Sequence, residues 1–476
     1  MRGMLRGRAP DDQREPGHPL GPRWARVIAG LAIAWGAVVF AAFHPGLMSI
    51  DAIVHYSQGL ESAYSNQHPP LVTWLFGQSG RWLGTPAGIL ALQLASIGGG
   101  LALLGARAAA RHGALAALVT GATLAAPGTY AIAAMLGKDA LLAGALLLAA
   151  AALRYGRSRA ALALSLVATL LRLNAIFAAV PLAAGALWGD LRRGPARAAA
   201  IVLVVVVLAG AEPAAERAAG TRDVWPLGQL LVYDLAGIYV RHPEALAASA
   251  LARDVSAADL ARLYTPDTGG LLLFPAPGAP GVSFHHLAER REALTAEWLR
   301  AVRAHPAAYA AHRLEVFRAL LGARRGHAFY PFHARLDPNP WGLRLSPETL
   351  WFRALVGLRD AAADGVAFRG WFWVALSVAV TALAAARARR DPVPLCIAAS
   401  GLAYALGYAL ISVSAEFRYL YWTALSGPAA LLALLGSPSS APPTGTGRRR
   451  SGSRDPGTTA PCADRPAGRA AKSAAG

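Results

Sequence analysis

Apolar segments about as long as a lipid bilayer is thick recur along this chain, and they constrain its fold more than any other feature. About 20 apolar residues in a helix span the hydrocarbon core, and a helix satisfies its own backbone hydrogen bonds there. We therefore predict an all-α polytopic membrane protein with about ten transmembrane helices. The predicted helices cover about 24–43, 86–106, 114–135, 139–153, 160–172, 175–189, 198–212, 370–386, 393–412 and 419–435.

Two of these assignments have alternatives. Segment 24–43 also fits a secretory signal peptide. No small-residue cleavage site precedes His44, and further apolar segments follow, which favours a first transmembrane helix. Segments 160–172 and 175–189 also fit a single broken helix.

Composition and charge agree with a membrane protein. Only 15% of the residues are charged and 55% are hydrophobic, whereas soluble domains are about a quarter charged. The formal net charge of +19 is concentrated in the N-terminal arm, the short loops and the C-terminal tail, while the long polar region is nearly balanced. Positive charge on one side of a set of membrane helices is the positive-inside pattern. We therefore expect membrane lipids as partners and no nucleic acid.

Arginine clusters give the predicted helices an orientation. With ten crossings, the clusters at 107–111, 154–159, 192–197 and 387–390 all fall on the cytoplasmic side, and so do both termini. The predicted divisions are a disordered basic cytoplasmic arm (1–23), an N-terminal transmembrane region (24–212) with an outer loop (44–85), an extracytoplasmic loop domain (213–369), C-terminal transmembrane helices (370–435) and a disordered cytoplasmic tail (436–476).

The predicted outer segments are helical. In the first outer loop, apolar and polar residues alternate over 52–60 and 71–83, which indicates short amphipathic helices on the membrane surface. Region 213–369 is too polar to cross the membrane and is long enough to bury a core of its own. Its apolar residues follow a helical period over Leu287–Leu321. We therefore predict a small, mostly helical outer domain.

Two residues of the first outer loop are candidates for catalysis or binding. A carboxylate such as Asp51 can act as a general base when burial raises its pKa toward the working pH; alternatively, Ser49 and Asp51 cap the following helix. His68 precedes two prolines, which hold it in an extended conformation. Its imidazole is placed to orient Asp51 or to contact a ligand, and the alternative is simple packing.

Three cations stand at the predicted outer ends of helices and are candidates for binding an anion. Lys138 is the only lysine outside the tail, and the alternative for it is a surface pair with Asp139. Arg172 either binds phosphate through its paired donors or extends to the membrane interface. Arg418 either contacts phosphate or is neutralised by Glu416.

Asp234 lies in an apolar run and either lines an acceptor cleft or caps a helix.

These residues together resemble the GT-C superfamily of membrane glycosyltransferases. Asp51 follows the first predicted transmembrane helix, and the same outer loop contains His68-Pro69-Pro70-Leu71. The chain is most similar to the protein mannosyltransferase and aminoarabinose transferase branch and to the bacterial proteins grouped with it. Similar bacterial proteins also share three elements that are present here as Lys138-Asp139, Arg172 with Asn174, and Glu416 with Arg418 and Tyr419.

The resemblance implies an inverting glycosyltransferase of the bacterial cytoplasmic membrane. It would move a sugar from a polyprenyl-phosphate donor to a glycan, lipid or protein acceptor on the outer face. Asp51 would be the catalytic base. A divalent metal is not implied, because Ala52 follows Asp51 where much of that branch has a second acid. The implied contacts are Lys138, Arg172 and Arg418 for the donor phosphate, and His68, Asn174, Asp139, Glu416, Tyr419 and Asp234 for the substrates.

Two other classes of protein fit parts of the pattern. A transporter of lipid-linked glycans would have polar residues or broken helices at the middle of the membrane, whereas the ionisable groups here collect at the outer helix ends. A membrane scaffold without catalytic activity would tolerate replacement of Asp51, Lys138 and Arg172. The sequence favours the transferase, and the identities of the sugar and of the acceptor stay open.

Overall fold

The computed structural model describes residues 21–188, 194–323, 329–347 and 349–438. The predicted disordered arm lies outside the described residues except for 21–23, and the predicted disordered tail does so except for 436–438. The described residues form helices and irregular segments with a few isolated β-bridges and no β-strand. The all-α prediction is therefore confirmed for this part of the chain.

Nine helices form the N-terminal part of the described chain. Every transmembrane segment predicted before residue 212 coincides with helical structure, because a long apolar segment has few other ways to satisfy its backbone. The helices are α1 (Gly21–Phe43), α2 (Ile50–Glu61), α3 (Pro70–Leu83), α4 (Ala87–Ala125), α5 (Pro127–Ala133), α6 (Lys138–Arg154), α7 (Ser158–Leu171), α8 (Ile176–Leu187) and α9 (Gly194–Ala219).

Helix α4 joins two segments that the sequence predicts as separate helices. It continues through 39 residues, with a kink at His112, whose backbone is not helical (φ −128°, ψ 48°). It ends at Ala125, and Pro127 begins the short helix α5. Segments 160–172 and 175–189 are two helices, α7 and α8, separated by a 3-10 turn over Leu173–Ala175.

The outer region begins later than predicted, because α9 continues through Pro213 to Ala219. The predicted helical run Leu287–Leu321 is divided at His305, since Pro306 disfavours a helical residue before it. The outer helices are α10 (Leu227–Tyr239), α11 (Pro243–Leu246), α12 (Ala257–Leu263), α13 (Gly270–Leu273), α14 (Arg291–Ala304), α15 (Pro306–Leu320) and α16 (Leu350–Ala362).

The predicted outer domain has a core of its own only in its first part. Residues between Trp225 and Ala308, among them Val232 and Leu294, form a separate buried cluster. In the second part, Phe368 and its neighbours instead join the core of the membrane helices. The outer region is therefore partly a domain and partly an extension of the helix bundle.

Three helices complete the fold: α17 (Gly370–Ala385), α18 (Val393–Ile411) and α19 (Tyr421–Leu435). Helix α19 is largely buried. The Trp422 indole donates a hydrogen bond to the Ser400 hydroxyl (3.0 Å), which donates to the Ala178 carbonyl (2.6 Å). These polar contacts join α19, α18 and α8.

Among the described residues, four helices are long and apolar enough to cross a membrane by length and composition. They are Gly21–Phe43, Ala87–Ala125, Ala198–Ala219 and Val393–Ile411. Ser158–Leu171, Leu173–Leu187 and Gly370–Ala385 are shorter apolar helices. The chain is thus a membrane protein, while ten crossings stay a prediction.

Helices α2 and α3 form a hairpin in which two glycines bring the backbones into contact. A Cβ atom added at Gly59 would lie 2.3 Å from the Thr73 carbonyl oxygen, and one added at Gly77 would lie 2.2 Å from the Gly59 carbonyl oxygen. Both distances are far below van der Waals contact, so any side chain would force the helices apart. This hairpin supports Asp51 at one end and His68 at the turn before α3.

We predict that Gly59→Ala lowers the thermal unfolding midpoint of the purified protein, because overpacking of this kind costs about 1–3 kcal/mol. Gly30→Ala is the matched control, since a Cβ atom at Gly30 meets nothing within 4 Å. Unfolding in detergent, followed by tryptophan fluorescence, measures both. Equal midpoints for the two variants would show that the hairpin is not held by this contact.

Candidate active site

Two loops that are distant in sequence place the start of α2 beside the start of α6. Leu47 donates a hydrogen bond from its backbone N–H to the Ala134 carbonyl and accepts one from the Leu136 N–H, both at 2.9 Å. The buried Gln93 side chain secures the second loop: its amide nitrogen donates to the carbonyls of residues 133 and 135 at 2.9 Å, and its oxygen accepts from the Gly137 N–H at 3.0 Å. Asp51 and Lys138 are thereby brought to one site.

Asp51 forms an ion pair with Arg418. The Asp51 Oδ2 atom lies 3.0 Å from Arg418 Nη1, and about a third of the Asp51 side chain is exposed. Arg418 also pairs with Glu416, which is the alternative to phosphate contact that the sequence left open. Ser49 occupies the N-cap position of α2, but its side chain makes no capping hydrogen bond. Asp51 thus lies in the first turn of α2 with Arg418 as its partner, and a place at the helix end is compatible with a place in the site.

The electrostatic environment of Asp51 differs from the expectation. Burial raises the pKa of Asp51, but the positive charges of Arg418 and Lys138 outweigh this effect and hold the pKa well below its usual value. The prediction of a raised pKa is therefore wrong for this arrangement. Asp51 is a carboxylate at neutral pH. Its affinity for a proton rises only when its interaction with these cations weakens.

Lys138 contacts His68 and not Asp139. Its Nζ atom lies 3.3 Å from His68 Nδ1. The His68 ring packs 4.2 Å from the ring of His55, whose Nδ1 atom is 3.0 Å from the Thr73 hydroxyl. Burial and the charge of Lys138 lower the pKa of His68 to about 3, so His68 is neutral at physiological pH.

The neutral state of His68 determines where its proton lies. Because Nδ1 accepts a hydrogen bond from the Lys138 ammonium, we assign the hydrogen to Nε2. The Nε2 atom is buried and has no hydrogen-bond partner among the described residues, and only 3% of His68 is exposed. His68 also lines the same cavity as Asp51, but this N–H is itself buried.

Arg172 lies beside Asp139, Asn174 and two tyrosines. Its Nε atom donates to Asn174 Oδ1 at 2.8 Å, and its guanidinium pairs with Asp139. The guanidinium carbon lies 5.0 Å from the ring centroid of Tyr419 and 5.7 Å from that of Tyr408. These contacts fix the plane of the guanidinium. Asp139 therefore pairs with Arg172, and the alternative of a surface pair between Lys138 and Asp139 is wrong.

Tyr419 connects Arg172 to the Asp51 ion pair. Its hydroxyl lies 3.3 Å from Glu416 Oε1, and its ring is stacked on that of Tyr408 with centroids 5.2 Å apart. The sequence pointed to Tyr419, but we assigned no role to Tyr408 or His55 from it. His55 stands one helical turn after Asp51, a spacing that places both side chains on one face, and this signal was available in the sequence.

Asp234 does not belong to this site. It is 1% exposed, and its carboxylate accepts from Trp298 Nε1 at 2.9 Å and pairs with Arg313. His312 Nε2 lies 3.2 Å from the same carboxylate. The prediction of substrate contact through Asp234 is corrected here: its partners are other side chains of the outer region.

Asp234 acts on the site indirectly through the loop at 412–417. The Arg313 side chain, which pairs with Asp234, donates a hydrogen bond from Nη1 to the Ser412 carbonyl at 2.8 Å. The loop at 412–417, which contains Glu416 and precedes Arg418, is thus attached to the outer region. Four more backbone hydrogen bonds of 2.7–2.9 Å make the same connection: Gly269 N to Val413 O, Ala415 N to Asp267 O, Tyr330 N to Ala415 O and Phe417 N to Tyr330 O.

Two adjoining cavities meet at Lys138 and Tyr419. The first, here called the polar cavity, has a volume of about 320 Å³ and is lined by Asp51, His68 and Arg418 among others. The second, here called the large cavity, has a volume of about 710 Å³ and is lined by Arg172 and Asn174. Its remaining wall contains charged residues, Glu212, Glu216, Asp223 and Arg291. It also contains the apolar residues Leu173, Ile176, Phe177, Leu227, Leu230 and Ile411.

The part of the chain that the structure describes contains no group of three or more His, Cys, Asp or Glu side chains placed to hold a metal ion. Comparisons with protein-family models, with curated proteins and with solved structures found no match.

We predict that His68 makes folding stability fall as the pH is lowered below about 6.5. The unfolded chain takes up a proton on this histidine near pH 6.5, whereas folded His68, with a pKa of about 3, does not. The unfolded state therefore gains stability as the pH decreases through this window. His68→Gln should reduce the drop in the unfolding midpoint between pH 7.5 and pH 5.0.

His285→Gln is the matched control, because His285 is an exposed histidine of the outer region. It should leave the pH dependence of the midpoint unchanged. A His68→Gln variant with the same pH dependence as the wild type would show that His68 is not buried in its neutral form.

Proposed function

We propose that this protein is an integral-membrane glycosyltransferase that moves a sugar from a polyprenyl-phosphate donor to an acceptor hydroxyl on the outer face of the membrane. One observation carries the proposal. Asp51 lies 3.0 Å from Arg418 in a cavity that also contains Lys138. A carboxylate for proton transfer thus stands beside the cations that a phosphate leaving group needs.

A topology of ten crossings agrees with this proposal. It requires α4 to cross twice, bending at His112, and every other predicted segment to correspond to a single helix. All parts of the site then lie on one side of the membrane: the α2–α3 hairpin, the starts of α6 and α8, the loop at 412–417 and the outer region. The arginine clusters at 107–111, 154–159 and 387–390 then lie on the opposite side, which by the positive-inside rule is the cytoplasm.

The large cavity suits a lipid-linked phosphate. Its apolar wall is formed by residues of α8, α10 and the end of α18, and it can take the chain of a polyprenyl lipid. Lys138 and Arg172 stand in the same cavity, where the phosphate would lie. The Lys138 ammonium donates to a neutral imidazole rather than to a carboxylate, so its charge is available to an anion.

In the proposed reaction, the acceptor oxygen forms a bond to the anomeric carbon while the bond from that carbon to the phosphate oxygen breaks. Asp51 takes the proton of the acceptor hydroxyl, and the lipid phosphate leaves with the bonding electron pair. Attack from the side opposite the phosphate inverts the anomeric centre. The donor phosphate competes with Asp51 for Arg418, which weakens this ion pair and raises the proton affinity of Asp51.

We expect Lys138→Ala and Arg172→Ala to lose a co-purifying polyprenyl-phosphate sugar, because each removes one of the cations that hold the phosphate. Native mass spectrometry of the purified protein measures the bound lipid directly. Arg262→Ala is the matched control, since Arg262 is an exposed arginine of the outer region. Wild-type protein without any lipid-linked sugar would contradict the donor assignment and favour a transporter or a scaffold.

For Asp51→Asn we expect retained donor and a transfer rate lower by about 10²–10⁴-fold, the usual contribution of a general base. Release of polyprenyl phosphate from bound donor measures the rate. The asparagine keeps the shape of the side chain but cannot take the proton. A variant that transfers sugar at the wild-type rate would exclude Asp51 as the base.

A further inference from the structure

A third cavity adjoins the polar cavity on the side of the outer region. It has a volume of about 220 Å³ and is lined by Tyr330, Phe332, His333 and Met135. It shares Ser49, Thr268, Ser414, Glu416 and Arg418 with the polar cavity, and these residues form the boundary between the two. A molecule in the third cavity would therefore reach the Asp51–Arg418 ion pair from a second direction.

The segment that lines this cavity is fixed at several points. The Tyr330 backbone pairs with the loop at 415–417 through two hydrogen bonds of 2.9 Å. Phe332 packs 5.1 Å from the ring of Phe368, and the guanidinium of Arg359 lies 4.3 Å from the centre of its ring. The Asp337 N–H donates to the Met48 carbonyl at 2.9 Å. The segment that lines the cavity is thus attached both to the loop at 415–417 and to Met48, which precedes α2.

We propose that this third cavity is the acceptor site and that it takes a single saccharide ring. This inference rests on the proposed glycosyltransferase function and adds to it the chemical class of the acceptor. Tyr330 and Phe332 provide aromatic surface for the apolar C–H face of a pyranose. The hydroxyls of Ser49, Thr268 and Ser414 and the charged groups of Glu416 and Arg418 provide partners for its hydroxyl groups.

The cavity is less suited to the other acceptor classes. A peptide acceptor bound as an added strand needs a free backbone edge, but the N–H and carbonyl of Tyr330 already pair with the loop at 415–417, and Pro331 has no N–H. An acyl chain would leave the hydroxyls and charges of the lining without partners. The volume is below the roughly 300–1,000 Å³ of pockets for drug-sized ligands, which suits one ring.

Saturation-transfer NMR of the full-length protein in lipid nanodiscs tests this inference. The probes are methyl β-D-glucopyranoside, methyl α-D-mannopyranoside and methyl N-acetyl-β-D-glucosaminide, with the peptide acetyl-Ala-Thr-Ala-amide as the competing class. We expect binding of at least one glycoside. Tyr330→Ala should weaken it by about fivefold or more, as loss of an aromatic contact predicts, while Tyr330→Phe should retain most of it.

Trp82→Ala is the matched control, since this tryptophan is 81% exposed at the end of α3 and lies outside all three cavities. It should leave glycoside binding unchanged. Native mass spectrometry of each variant should show the same bound lipid-linked sugar as the wild type, because Tyr330 lines neither the polar nor the large cavity.

The outcomes separate this inference from the proposed function. Bound donor without any glycoside signal, an equal signal in Tyr330→Ala, or peptide binding that depends on Tyr330 would each overturn the saccharide site and leave the transferase proposal intact. A glycoside signal that depends on Tyr330 without any bound donor would support the saccharide site and contradict the transferase. Absence of both would overturn both.

Discussion

The ion pair between Asp51 and Arg418 joins residues 367 positions apart in the chain and fixes the centre of the site. It holds the start of α2 against the loop that precedes α19. Partly buried ion pairs of this kind form only where the surrounding structure places both groups accurately, since each charge loses hydration. The Leu47 backbone bonds on one side and the loop at 412–417 on the other supply that placement.

The outer region also positions one partner of this ion pair. Every backbone hydrogen bond that we describe between it and the loop at 412–417 fixes the position of Glu416 and Arg418. Arg313 adds a buried side-chain connection to the Ser412 carbonyl, and Asp234, itself almost without solvent exposure, pairs with its guanidinium. A carboxylate that the sequence suggests as a ligand contact thus contributes to the site by positioning a loop about 180 residues away in the chain.

The helices could be predicted from the sequence, whereas the pairing of side chains could not. Each predicted membrane segment overlaps a helix of the described residues, although only four of these helices are long and apolar enough to cross a membrane. Helix α4 is continuous where two helices are predicted, and α9 extends to Ala219. Loop parity also predicted that Asp51, Lys138, Arg172 and Arg418 share one side. Their partners depend on contacts between residues far apart in sequence, which leave no local pattern. The pairing of Asp139 with Arg172 instead of Lys138 is one such contact.

The charges around Asp51 fit the proposed reaction. The cations Arg418, Arg172 and Lys138 stand among the carboxylates of Glu416, Asp139 and Asp51. A polyprenyl-phosphate sugar is a phosphodiester with one negative charge, and the lipid monophosphate that leaves carries up to two. When Asp51 takes the acceptor proton, it loses its negative charge as the leaving group gains one. The positive charge that Asp51 no longer neutralises is then available to the departing phosphate, while Arg172 and Arg418 keep Asp139 and Glu416 as partners.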